Sequence, residues 1–92
     1  MRELERGERM LPTSIDLPRS ETDICVRAVF EATVAIVAAF VDETGAALDV
    51  SVAGKRTLLD AHGPVCLRKD RPASIAVQGP RGLVRFLVWI SP

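Results

Sequence analysis

The side chains capable of chemistry are few, and they lie far apart along the chain. His62 is the single histidine and sits in the loop Asp60-Ala61-His62-Gly63-Pro64. Cys25 and Cys66 are 41 residues apart, with no CxxC pair and no His/Cys cluster to suggest a metal site. A cysteine nucleophile needs a base within hydrogen-bond reach, and neither cysteine has His62 nearby in sequence. Ala53-Gly54-Lys55-Arg56-Thr57 holds a Gly-Lys pair without the P-loop spacing or its strand–loop–helix setting. Carboxylates are plentiful but scattered, and no pair is placed at catalytic separation. A protein without catalytic activity, metal or cofactor is expected.

One motif has the makings of a binding site. Asp49-Val50-Ser51-Val52-Ala53-Gly54 lies on a predicted strand with Leu48 just before it. Asp49 can accept paired hydrogen bonds from the N–H edge of a guanine. Ser51, two residues on and so on the same face, can donate to a base or phosphate oxygen. Gly54 has no side chain, which lets a flat ligand approach the backbone. The first ten residues supply the complement, with Arg2, Arg6 and Arg9 in a charged segment. Guanidinium groups on a flexible arm can clamp phosphates bidentately and stack on purine faces.

An Arg-x-x-x-Arg pattern at Arg2 and Arg6, followed by Asp-x-Ser-x-x-Gly at Asp49, Ser51 and Gly54, resembles the signature of the PilZ domain. PilZ domains are β-barrels that bind cyclic di-GMP. Leu87-Val88-Trp89-Ile90 is similar to the tryptophan strand often found downstream in that family. The resemblance implies a cyclic di-GMP sensor or protein adaptor. Arg2 and Arg6 would sit on phosphates and base faces, Asp49 and Ser51 on a guanine, and binding would pin the arm to the barrel.

The 92 residues make one small domain. Nearly half are hydrophobic, but only three Phe and one Trp are aromatic, so the core is expected to be Val, Ile, Leu and Ala. Net charge is zero. Residues 1–54 nevertheless carry five Arg against ten Asp and Glu, and residues 55–92 carry seven Lys and Arg against two Asp. Either folding mixes the halves again, or a basic face awaits an anionic ligand or an acidic neighbour. Overall neutrality argues against a general nucleic-acid binder. No apolar run is long enough to span a membrane, and the charged start of the chain lacks the apolar core of a secretory signal. A reducing cytoplasm with both thiols free is expected; a disulfide between strands is the alternative.

The elements that must position these residues read as strands. Residues 1–10 are expected to form a flexible charged arm, with 11–92 as a single β domain. Residues 14–17, 24–30, 47–53, 57–59 and 65–67 are short strands separated by turn signals. Along 47–53, Leu48, Val50 and Val52 are expected to face the core and Asp49 and Ser51 to face out. The β-branched run at 33–41 favours strand, but four alanines leave a buried helix open. Ala73–Gln78 and Leu83–Ile90 flank the turn Gly79-Pro80-Arg81-Gly82 and read as a hairpin. The second arm is apolar at both parities apart from Arg85, so it should be central in its sheet and buried on both faces. The whole reads as an all-β barrel or sandwich of about seven antiparallel strands.

The apolar content of 33–41 and 83–90 supports a second function. It suits a small β-sandwich assembly or accessory subunit with no small-molecule ligand, working through a protein partner or self-association. Opposite charges on the two halves would suit head-to-tail packing.

Overall fold

The computed structural model describes residues 2–53, 56–59 and 63–91, and their side chains except at 49, 51–53 and 56–59. Nine strands are formed among the described residues: β1 (Arg2–Met10), β2 (Thr13–Leu17), β3 (Ile24–Ala32), β4 (Ile36–Val41), β5 (Ala47–Ala53), β6 (Arg56–Leu59), β7 (Val65–Leu67), β8 (Ala73–Gln78) and β9 (Leu83–Ile90). The first sheet runs β1-β9-β3-β6, with β7 also on β3; the second runs β2-β8-β4-β5. All pairings are antiparallel. β1 pairs β9, β2 pairs β8, β3 pairs β6 and β7, and β4 pairs β5. That is one long hairpin, rolled so that β9 also meets β3 and β8 meets β4. The result is a jelly-roll sandwich, not a barrel.

Period-two patterning explains the core. Val26, Ala28 and Phe30 of β3 are buried, as are Ile36, Ala38 and Phe40 of β4, Ile75 and Val77 of β8, and Val84, Phe86 and Val88 of β9. Each alternates with a residue on the outside of its sheet. Burying one such Val, Ile or Phe contributes about 1.5–3 kcal/mol. Phe30 and Phe40, one from each sheet, are the largest of the fully buried side chains.

Several expectations are corrected. Residues 2–10 are a paired strand and not a flexible arm. β9 is apolar along its length and central, so it needs a neighbour on each side; β1 fills one side, from Arg2 opposite Ile90 to Met10 opposite Leu83. Its charges are those an edge strand carries against unwanted pairing, and its register shifts between Glu3 and Glu5. Residues 73–90 are not a hairpin. β8 and β9 belong to different sheets, and 79–82 is a crossing between them. Each arm is apolar enough to take partners on both sides, so the arms stack face to face. β9 is buried on one face only, with Leu83 43% exposed on the other.

Residues 33–41 hold a strand, as expected, but it begins at Ile36 because 33–35 crosses between sheets. Two crossings stack closely there. A Cβ on Gly79 would lie 2.8 Å from the Ala35 carbonyl oxygen. In β5 two of the residues expected to face the core do not: Leu48 and Val50 are 44% and 52% exposed. Val50 stands opposite Ala39, which alternates with buried Ala38 and Phe40. Lastly, the thiols are not free. β7 pairs on β3 with Cys66 opposite Cys25, and the two form a disulfide.

Candidate functional site

The outer face of the first sheet gathers charged and apolar side chains in rows. Residues opposite one another in a ladder share a face. Glu8 stands opposite Arg85, and Arg85 opposite Glu31. The next row is Arg6, Leu87 and Val29, and the next Glu3, Trp89 and Arg27. All nine alternate with buried core positions on β9 and β3 or pair with residues that do. Val29, Leu87 and Trp89 are half-buried, whereas Glu8, Glu31 and Arg85 are exposed.

A shallow depression of about 490 Å³ spans β1, β9 and β3, with Leu87 and Val29 in its lining and Arg6, Glu8, Arg85 and Glu31 around them. The Arg85 Nε donates to Glu8 Oε2 at 3.2 Å. Arg6 Nε pairs with Glu3 Oε1 at 2.6 Å. An apolar strip between alternating charges suits a folded surface of complementary pattern; among the described side chains it has no cluster of one sign to hold a lone anion.

The opposite outer face differs in chemistry. Val37, Ala39 and Val41 of β4 lie beside Gln78, Ala76 and Ser74 of β8. That face is neutral over its centre, with Asp16 at the β2 edge beside Ser74.

At one end of the sandwich, the β4–β5 turn is organised by Asp42. Its Oδ1 accepts from the Thr44 hydroxyl at 2.7 Å, the Thr44 N–H at 2.9 Å and the Ala46 N–H at 3.0 Å. The Thr44 hydroxyl bond leads; desolvation opposes it as the next effect in size, and these backbone donors with that of Gly45 add to the hydroxyl bond, so that the carboxyl is held below its ordinary value. A depression of about 340 Å³ beside this turn is lined by Asp42 and Glu43 together with Arg68 and Arg71. Folding therefore interleaves the acidic and basic halves of the sequence, and this site too is mixed in sign.

The sequence-derived site residues fall into separate places. Arg2, Arg6 and Arg9 all lie on β1. Arg6 is on the outer face, and the Arg9 guanidinium sits 6.0 Å from the centroid of the Phe86 ring, at cation–π range. The backbones of Asp49 and Ser51 lie in β5, opposite Phe40 and Ala38. Their side chains and Gly54 lie outside the described residues, as do Lys55 and His62. β1 is one edge of the first sheet. β5 is the far edge of the second sheet and packs near β6, at the other side of the sandwich. The two halves of the expected dinucleotide site are thus not brought together.

No single stretch of the sequence contains the outer-face rows. Arg85, the one charge in the otherwise apolar run 83–90, is the local sign of them. What the sequence lacked was the register that joins them. Among the described residues no group of three or more His, Cys, Asp or Glu is placed to hold a metal ion, and no helix is long and apolar enough to cross a membrane.

No protein-family model matches the chain, and no curated protein matches it. Solved structures do. The carbohydrate-binding module CBM36, solved with calcium and xylotriose, superposes with a TM-score of 0.54 at 9% identity, covering 96% of this chain and 93% of that one. The insecticidal delta-endotoxin Cry8Ea1 of Bacillus thuringiensis gives a TM-score of 0.47 at 10% identity over 95% of this chain. The chain spans only 18% of that toxin's length. At such identity, the likeness to the carbohydrate-binding module is one of fold: this chain is similar to β-sandwich domains.

Proposed function

We propose that this chain is a non-catalytic β-sandwich module that works by docking a sheet face onto protein, as a self-associating assembly or accessory subunit. The observation that supports this most directly is the second parity of β9. Leu83, Leu87 and Trp89 reach the outer surface of a central strand, where Val29 continues the apolar strip. A strand with no partner to meet on that face would carry polar residues there. The separation of β1 from β5 favours this function over a cyclic di-GMP sensor, which needs the arginines and the Asp-x-Ser strand at one mouth. The Cys25–Cys66 disulfide favours an oxidising setting over the cytoplasm expected from sequence.

Sedimentation velocity across a concentration series tests the proposal. Species heavier than the 10.0 kDa chain, growing with concentration, are expected. A single monomeric boundary at every concentration would reject it.

A further inference from the structure

We infer that the outer face of the first sheet is self-complementary and packs on the same face of a second copy about a two-fold axis. This rests on the self-association proposed above and names the surface and the partner. Consider an axis in the plane between two such faces, parallel to the strands and midway between β9 and β3. It sets each β9 residue against the β3 residue of the same row in the other copy. The rows are given by the ladder: Arg85 with Glu31, Leu87 with Val29, Trp89 with Arg27. Across the interface Arg85 therefore meets Glu31 of the second copy, Leu87 meets its Val29, and Trp89 meets its Arg27. Every row makes a favourable pair: a second carboxylate added to the Arg85–Glu8 ion pair of each copy, an apolar contact and a cation–π contact. The symmetry repeats each pair twice, as an isologous interface requires.

Charge decides this occupant and this face. Within one copy, each row's β9 and β3 members are already unlike in charge or jointly apolar, so exchanging them by a two-fold leaves the pattern complementary. Among the described side chains, the centre of the second sheet's outer face, with Ala39, Ala76 and Val50, offers no charge to fix a register. Sheets packed face to face stay within about 30° of alignment. Rows near the axis therefore stay opposite one another while the corners splay.

A heterodimer rescue tests the inference by sedimentation of the full chain. Arg85→Glu sets Glu against Glu31 twice across the axis, and Glu31→Arg sets Arg against Arg85 twice. Like charges in contact are costly, so each variant alone should dissociate at least about tenfold more readily than the native chain. In an equimolar mixture, Glu at position 85 of one copy faces Arg at position 31 of the other, and native Glu31 faces native Arg85. The mixture should return to dimer, which misfolded variants would not do. The inference is overturned if either variant alone stays dimeric, if the mixture stays monomeric, or if Ala39→Arg on the other face dissociates the dimer instead. A native chain that is monomeric throughout overturns both this and the proposed function. A native dimer indifferent to both charge variants overturns only the choice of face.

Discussion

Glu8 and Arg85, 77 residues apart in sequence, meet at 3.2 Å on the outer face of the first sheet. The pair ties the start of the chain to its last strand. It joins two exposed side chains, and such pairs contribute only about 0–1 kcal/mol. Glu8→Ala should therefore lower the stability of the monomer by no more than about 1 kcal/mol in urea denaturation. A loss several times larger would mean that β1 owes its place to this pair and not to backbone pairing with β9.

Gly79 lets two crossings between the sheets lie against each other. Its Cβ position is 2.8 Å from the Ala35 carbonyl oxygen, which belongs to backbone and cannot swing aside. Gly79→Ala should destabilise the fold by about 1–3 kcal/mol, read as a lower urea midpoint at an unchanged slope. Gly45, at a φ of 85°, has open space around its Cβ position. Alanine there should cost about 1–2 kcal/mol through backbone strain alone. A Gly79→Ala variant as stable as the native chain would contradict the steric account of Gly79.

The disulfide closes a loop across a sequence separation of 41. Loop-closure entropy for such a span gives a stabilisation of about 4 kcal/mol as an upper figure. A Cys25→Ser/Cys66→Ser variant should unfold at clearly lower urea than the native chain. Adding reductant should weaken the native chain toward the variant and leave the variant unchanged. Identical midpoints for native and variant chains under oxidising conditions would show that the β3–β7 pairing needs no crosslink.

Asp42 should give the fold an acid-sensitive turn. Folding gathers the Thr44 hydroxyl and backbone donors around its carboxylate, so the folded group loses its charge at lower pH than the unfolded one, whose ordinary value is 3.8. The contribution is complete above that ordinary value and is lost as pH falls through the lowered folded value. The native chain should therefore be more stable than Asp42→Ala by a constant amount at neutral pH. The charge-dependent part of that gap should shrink as acid is added, in urea titrations at a series of pH values. A gap that stays constant down to strong acid would contradict this.

Much of the fold is legible in alternation. Val26, Ala28 and Phe30 declare one face of β3, and Ile75 and Val77 one face of β8, with no outside information. The tertiary partners are not legible in the same way. Gly-Pro-Arg-Gly at 79–82 carries turn chemistry, but turn chemistry does not say whether the arms pair or stack. The two glycines served close packing on 33–35. Leu48 and Val50 misled because an edge strand can turn apolar residues outward. The charged start read as an arm because a solvated segment and an edge strand share composition. The outer-face rows depend on register between strands at both ends of the chain, which no local pattern encodes.

Trp89 offers the most direct test of association through the first sheet. It is the only tryptophan in the chain, half-buried on that face and in the row that meets Arg27 of the second copy. Emission should be followed through a dilution series alongside sedimentation. The expected result is a red shift on dilution, over the same concentrations at which the mass falls to that of one chain. A falling mass with unchanged Trp89 emission would place the contact elsewhere and contradict the account.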